Sequence, residues 1–304
     1  MAAHQSVLLA ESIQLLNPQP GRVVVDCTLG AGGHSAAIIP RLSPGGRLIG
    51  LDVDPEALGL ARERLEPLAR DAGVKLDLIQ ANFRTLKHVL DTLGIAAVDG
   101  ILADLGVSSM QFDRPERGFS FRFDHPLDMR MDPTLPETAA DLLLNRSEEE
   151  LADILYQLGE EHKSRRIARA IVRQRESSPI ATTGQLEELV RHALRVRGHR
   201  RIHPATKTFQ ALRLAVNQEI DALDEFLTAA PELLAPSGTL AVITFHSLED
   251  RPVKQRFKAL DVSGRFQQLV KFVAPNDAEL ESNPRSRSAK VRAIRFESSG
   301  AEEA

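Results

Sequence analysis

The stretch Arg22-Val-Val-Val-Asp-Cys-Thr-Leu-Gly-Ala-Gly-Gly-His-Ser35 carries a β-branched run straight into a glycine-rich turn, with helical sequence following from about Ser35. A strand, a glycine turn and a helix in that order form the cofactor loop of an open α/β sheet. Gly30, Gly32 and Gly33 lack a Cβ, so the backbone can take positive φ and approach a ligand closely. Asp52 ends the next apolar run, Arg47-Leu-Ile-Gly-Leu51, and stands 20 residues beyond Gly32. At that spacing an acidic side chain past the second strand reaches ribose hydroxyls.

Two residues decide between nucleoside cofactors. A dinucleotide fingerprint, Gly-x-Gly-x-x-Gly counted from Gly30, needs glycine where this chain has Ser35, which removes one support for a bound pyrophosphate. Asp26, at the mouth of the first strand, repels a diphosphate and favours a ligand carrying an ammonium or a sulfonium. S-adenosylmethionine carries both. NAD, and a glycine turn that only packs a helix onto a sheet, are the competing readings.

Composition bounds the rest. The 304 residues are 42% hydrophobic and 26% charged, as in an ordinary globular protein, and suffice for one large domain or two smaller ones. The N-terminus has no basic leader and no run approaches the ~18 apolar residues of a membrane span, so a cytoplasmic location is expected. A lone cysteine, Cys27, excludes an internal disulfide framework and a thiolate zinc site, and no His and carboxylate cluster at ligand spacing replaces it, so no metal is expected. The net charge of −4 is unevenly spread: residues 160–207 hold 12 Lys or Arg against 5 Glu, a local +7, leaving −11 elsewhere. A basic region in an acidic chain suits a polyanion; a solvated helical face is the plainer alternative.

Strand and helix signals alternate up to Asp104, with strands expected at 23–26, 48–52, 74–79 and 98–103 and helices at 35–42, 55–70 and 86–93. Apolar runs of this length between amphipathic helices imply a parallel sheet covered on both faces. The alternation then stops, and helical periodicity takes over at 148–158, 162–175 and 185–196, with Thr182 and Gln185 at capping-box spacing. One further helix, 206–229, leads back to strand-like sequence at 239–245 and 291–296. The economical arrangement is an α/β sheet interrupted after its fourth strand by an all-helical insertion: residues 1–108 and 206–304 for the sheet domain, 109–205 for the insertion.

Outside the glycine turn, three regions carry candidate chemistry. Asp104-Leu-Gly-Val-Ser-Ser109 follows the fourth strand, beside the point where the sheet order reverses, where amino-methylating enzymes place an Asp or Asn and a tight turn whose carbonyls face the acceptor amine; a plain strand-to-loop turn is the alternative. Phe119, Phe121 and Phe123 sit among charged residues and serve either packing or base stacking, with packing favoured. In the helix after His162, Ile167, Ala168, Ile171 and Val172 make an apolar stripe opposite Arg165, Arg166, Arg169 and Arg173, while Arg195, Arg197, Arg200 and Arg201 crowd a glycine-containing turn. The last four read as phosphate contacts to RNA.

These motifs resemble the bacterial small-subunit ribosomal RNA (cytosine-N4)-methyltransferase family, RsmH or MraW, almost from end to end. The matching stretches include Asp26 to Ser35, Asp52 to Pro55, Asp99 to Ser109 with Gln111, Arg117 to Pro133, His203-Pro-Ala-Thr-Lys-Thr-Phe-Gln-Ala-Leu212, Phe245-His-Ser-Leu-Glu-Asp250 and Asn283-Pro-Arg-Ser-Arg287. The resemblance implies a Rossmann-like S-adenosylmethionine-dependent methyltransferase sheet with an inserted helical domain. It implies cofactor contacts at Gly32, Gly33 and His34 through the loop, at Asp52 to the ribose, at Phe83 near the adenine, and at Asp104 and Gln111. Its expected reaction is methylation of the exocyclic N4 amine of one cytidine in the decoding region of small-subunit RNA, with an assembled subunit as the expected partner and monomer and homodimer both open. Asp104 is the expected catalytic residue. Transfer to carbon-5 needs a cysteine nucleophile on the base, and Cys27 lies inside the cofactor motif. The competing functions are an NAD-dependent oxidoreductase and a non-catalytic RNA-binding protein. His246 receives no role.

Overall fold

The computed structural model describes residues 6–106, 114–195 and 203–297. Gln111, Arg197, Arg200 and Arg201 lie outside these residues. The chain divides into two compact units, Met1–Gly106 with Ile220–Ala304, and Val107–Glu219.

In the first unit α1 (Leu9–Leu16), β1 (Val23–Asp26), α2 (Gly33–Leu42), β2 (Arg47–Asp52), α3 (Pro55–Ala72), β3 (Lys75–Gln80), α4 (Leu86–Thr92) and β4 (Val98–Asp104) follow one another. Local chemistry sets their ends. Asp54 caps α3 by accepting the Glu56 N–H at 3.0 Å, Pro55 supplies its first helical residue, and Gly73 ends it at φ +63°. Four parallel strands in the order β3-β2-β1-β4 result, so the winding reverses between β1 and β4.

The second unit is helical, with α5 (Ala139–Asn145), α6 (Glu148–Gln157), α7 (Ser164–Ser177), α8 (Thr183–Ala193) and α9 (Thr206–Val216). Thr182 and Gln185 form the expected capping box on α8. Ile167, Ala168 and Ile171 turn the stripe of α7 into the core, where they meet Leu155, Leu186 and Leu212, and Arg165, Arg166, Arg169 and Arg173 are exposed. The unit continues to Glu219, past the expected boundary at 205. The reason is packing: Phe209, Ala211, Leu212 and Val216 of α9 are buried in this helical core. The single helix expected over 206–229 is two. Asn217 caps the first of them: its backbone N–H still bonds the Arg213 carbonyl at 3.1 Å, its side-chain amide accepts the Met131 N–H at 2.7 Å and donates to the Met129 carbonyl at 2.8 Å, and Gln218 then takes φ +49°.

The chain returns to the sheet through α10 (Glu219–Ala229), β5 (Leu234–Thr244), α11 (Ser247–Val262), β6 (Phe266–Val273), α12 (Asp277–Ser282), a 3-10 turn at Pro284–Ser288 and β7 (Lys290–Phe296). The finished order is β3-β2-β1-β4-β5-β7-β6, seven strands among the described residues. β7 runs antiparallel to both β5 and β6. Residues alternate between two cores: Val25, Ile49, Ile101 and Val242 face α4, α10 and α11, whereas Val24, Leu48, Leu102 and Ala241 face α1, α2 and α3. Each such side chain, fully buried, contributes roughly 1.5–3 kcal/mol for the larger residues. Both faces of the sheet are therefore covered, and the carboxyl edge of the parallel strands is left for ligands.

Candidate active site

Strands β2, β1 and β4 are neighbours, and each ends in an aspartate. The register separates their roles. Asp26 pairs with Gly50 on one side and Leu102 on the other, so Asp52 and Asp104 each stand two residues further out. At about 3.3 Å per residue Asp26 lies roughly 7 Å deeper, and Asp52 and Asp104, two strand spacings apart, flank the glycine turn at roughly 10 Å.

Asp26 is not the open carboxylate that the sequence suggests. It is 1% exposed, accepts the Ser35 hydroxyl at 2.7 Å and the Thr28 N–H at 3.3 Å, and acts on the site only through its field. Burial pushes its carboxyl up to about 6 against those two bonds. Ser35, which breaks the dinucleotide fingerprint, is therefore Asp26's internal donor.

The glycines divide similarly. Gly30 and Gly32 hold φ of +51° and +75°, conformations that other residues resist. Gly33 has another reason: a Cβ there would lie 2.0 Å from Ser6 Oγ. It opens α2, whose first-turn N–H groups have no carbonyl a turn earlier and point out of the helix end.

Asp52 orders this turn. Its Oδ2 accepts the Gly30 N–H at 2.7 Å and its Oδ1 the Asp54 N–H at 2.9 Å. Each carboxylate oxygen has a second acceptor direction left for hydroxyls. Burial raises its pKa to about 6 against these bonds, and the charges of Asp54 and Asp26 add to the rise. Phe83 follows close by, because the Ala81 N–H bonds the Asp52 carbonyl at 3.0 Å and a 3-10 turn at Phe83–Thr85 comes next. The ring is half-buried, edge-on to Phe226 at 5.4 Å.

Across the turn, Asp104 is fastened to the residues that follow β1: its N–H donates to Thr28 Oγ1 at 2.6 Å. The side chain is 22% exposed. Burial lifts its pKa to about 6; His34 opposes the rise, while Asp26 and Glu249 reinforce it. The His34 ring is buried, with Nε2 3.1 Å from the Val7 carbonyl and Nδ1 3.9 Å from Asp104 Oδ2. A carbonyl only accepts, so Nε2 carries the proton.

Sequence reasoning missed Thr28, Ser6 and Glu249. Glu249 is 3% exposed in the first turn of α11, accepts the Phe245 N–H at 2.8 Å and lies 2.9 Å from His246 Nε2. The His-x-x-Glu spacing after a strand was the available signal. The Phe245 ring packs beside Gly106, where a Cβ would approach it to 2.6 Å. The Cys27 thiol is buried and its ionisation strongly disfavoured, by burial first and by Asp26 second, so it is no nucleophile.

A separate groove of about 860 Å³ opens among α1, α2 and α12, but none of the three strand-end aspartates lines it. No candidate metal cluster occurs among the described residues. In the helical unit Arg195 is exposed with φ +49°. Phe119 is buried, Phe121 stacks on His203 at 4.5 Å and meets Phe209 edge-on, and Phe123 is 62% exposed. Two of the three aromatics thus serve the fold of their own unit.

A doubly wound sheet in this order, with a single reversed strand, is the Rossmann-like sheet of methyltransferases that use S-adenosyl-L-methionine. The donor set suits that cofactor: burial raises the pKa values of all three carboxylates, the charge of Asp26 adds to the rise at Asp52 and Asp104, and a sulfonium or ammonium relieves that repulsion where a diphosphate would deepen it.

The chain belongs to the MraW methylase family, whose model it matches over residues 1–297. A curated relative, ribosomal RNA small subunit methyltransferase H of Symbiobacterium thermophilum, is 48% identical over 308 aligned positions that span 96% of each chain. Its counterpart from Brevibacillus brevis is 47% identical, spanning 95% of this chain and 96% of the relative. A solved structure of a putative rRNA-methylase from Clostridium thermocellum superposes with a TM-score of 0.49 at 13% identity, covering 96% of this chain and 99% of that one.

Proposed function

We propose that this methyltransferase transfers a methyl group to the exocyclic N4 amine of one cytidine in the decoding region of small-subunit ribosomal RNA. The observation that carries the reading is the ledge of Asp52 and Asp104 on either side of the glycine turn, with Asp26 buried beneath it. Membership of the MraW methylase family, and relatives named as small-subunit ribosomal RNA methyltransferases, support the substrate class.

When bound, the cofactor supplies a sulfonium-activated methyl group. Asp52 would accept the ribose hydroxyls, Phe83 would flank the adenine, the backbone of Gly32, Gly33 and His34 would hold the cofactor from the turn, and Gln111 is proposed as a further contact. Asp104 has the chemical task. The lone pair of a cytosine amine is delocalised into the ring, which makes it a poor nucleophile. An N4–H donated to the Asp104 carboxylate pulls that lone pair back onto nitrogen and aims it along the line of transfer. Holding the reacting atoms in line contributes up to about 7–11 kcal/mol of a barrier. As nitrogen gains the methyl group it becomes strongly acidic, and the same carboxylate, with a pKa near about 6, takes the proton.

The helical unit is the proposed RNA-recognition domain, with Arg195, Arg197, Arg200 and Arg201 on phosphates, and the assembled small subunit in the cytoplasm is the proposed partner. No helix among the described residues is long and apolar enough to cross a membrane. The test is incubation of the purified protein and methyl-labelled S-adenosylmethionine with small subunits lacking the modification, in parallel with protein-free RNA. Label should enter the RNA of the subunits. A protein that binds RNA and cofactor but transfers no label to either would be a binding protein instead.

A further inference from the structure

The carboxyl edge continues past the proposed methyl-transfer site. β7 is reversed and β6 runs with the first five strands, so the amino end of β7 and the carboxyl end of β6 lie on the same edge as Asp104. The pairings run continuously: Asp104 with Ile243, Thr244 with Lys290, Val291 with Val273. The far end of this edge carries an aromatic ring among cations. Phe272 is 50% exposed, with Lys290 Nζ 5.6 Å and Arg292 Cζ 5.5 Å from its ring centroid. The 3-10 turn leading into Lys290 exposes Arg285 and Arg287.

The geometry points to a binding track for single-stranded RNA along this edge, with Phe272 as a base-stacking platform and Lys290, Arg285 and Arg287 as phosphate contacts. The inference rests on the RNA-methyltransferase reading and adds to it where the strand flanking the target base lies. An exposed phenylalanine alone means little; an aromatic face beside cations, on the ligand edge of the sheet, is the combination that single strands use. Arg292 is not a contact. It is 4% exposed and held by Asp250 at 2.9 and 3.1 Å and by the Lys271 carbonyl, so its part is to fix the floor under the ring. Lys290 is different: it shares Asp250 at 3.2 Å, but its side chain is 40% exposed. Among the acidic residues of α12, Glu279 is occupied by the Leu8 N–H at 2.8 Å. The span also fits. Three strand spacings from β4 to β6 make roughly 14 Å, about four nucleotides at roughly 3.4 Å per stacked base.

The chain has no tryptophan, so Phe272→Trp places a sole indole on the proposed platform. The probe is a short single-stranded RNA spanning the target cytidine, titrated while indole emission is read; binding is followed separately by anisotropy of an end-labelled copy. Quenching in step with binding is expected. Phe272→Leu keeps an apolar cover over the Arg292 pair but offers no ring, and should weaken RNA binding about 5- to 150-fold with cofactor affinity unchanged. RNA binding with unaltered indole emission, or with full affinity in the Leu variant, would overturn the track and leave the methyltransferase reading standing. Failure of the wild-type protein to bind the RNA at any salt would likewise overturn the track, whereas the methyltransferase reading falls only if small subunits lacking the modification take up no label.

Discussion

Replacing Asp52 by Asn separates the cofactor role of this residue from its structural one. The carboxylate accepts two backbone N–H groups, from Gly30 at 2.7 Å and Asp54 at 2.9 Å. An amide keeps one acceptor oxygen and turns an NH2 toward the other donor, a mismatch of about 1–3 kcal/mol. Against this, the variant removes an ion that the fold disfavours: a carboxyl raised from 3.8 to about 6 costs up to roughly 3 kcal/mol to keep ionised at neutral pH. The two effects nearly cancel, so the melting temperature of the cofactor-free protein should barely move. Ribose recognition has no such compensation. Loss of a charged acceptor there costs about 1.5–3 kcal/mol, or roughly 10- to 150-fold in Kd. Titration calorimetry with S-adenosylmethionine and S-adenosylhomocysteine should show the same loss for both, because they share the ribose. An unchanged Kd in a folded variant, or a loss confined to the sulfonium form, would refute the assignment.

Asp104→Asn should discriminate where Asp52→Asn does not, weakening S-adenosylmethionine more than S-adenosylhomocysteine and lowering the single-turnover rate at saturating cofactor; equal losses with a wild-type rate would leave Asp104 a structural residue. The raised pKa values of Asp26, Asp52 and Asp104 also fix a pH dependence. Between about 3.8 and about 6 the folded state holds more protons than the unfolded one, so these groups' contribution to stability falls as pH rises through that window. Above it the carboxylates are ionised and repel, and a cationic cofactor offsets that repulsion. The thermal shift produced by S-adenosylmethionine should therefore be larger at about pH 7.5 than at about pH 5, and a shift larger at the lower pH would contradict the charge argument. Changing Arg195, Arg197, Arg200 and Arg201 together to Gln should reduce the slope of log affinity for RNA against log salt by about 0.7–0.9 for each phosphate that the variant no longer neutralises. Cofactor affinity should stay constant, and a wild-type slope would make the cluster a solvated face.

The first half of the sheet was legible because its signals are local. β1 begins and ends where the run of valines and Asp26 put it, and the winding reverses beside Asp104 as the alternation of elements implies. Three features were not local. The depth of Asp26 depends on its register against Gly50 and Leu102, residues far away in sequence, so its type suggested a ligand contact that its level in the sheet denies. The ring of His34 is claimed by Val7 and neighbours Asp104, both outside the motif that contains it. The end of the helical unit is set by tertiary packing of α9 and by Asn217, which no helical periodicity reveals. β6, Phe-Gln-Gln-Leu-Val-Lys-Phe-Val, was missed for a related reason: as the outermost strand it is mostly half-exposed and reads as neither a buried run nor a clean alternation.

The most direct test of the central claim is the identity of the methylated nucleoside. After reaction of the purified protein with S-adenosylmethionine and small subunits lacking the modification, the RNA is digested to nucleosides and resolved by mass spectrometry against authentic standards. An Asp104 acceptor on the amine, and a buried, un-ionised Cys27, predict methyl on N4 of cytidine. Methyl on carbon-5, or on a ribose hydroxyl, would contradict the account.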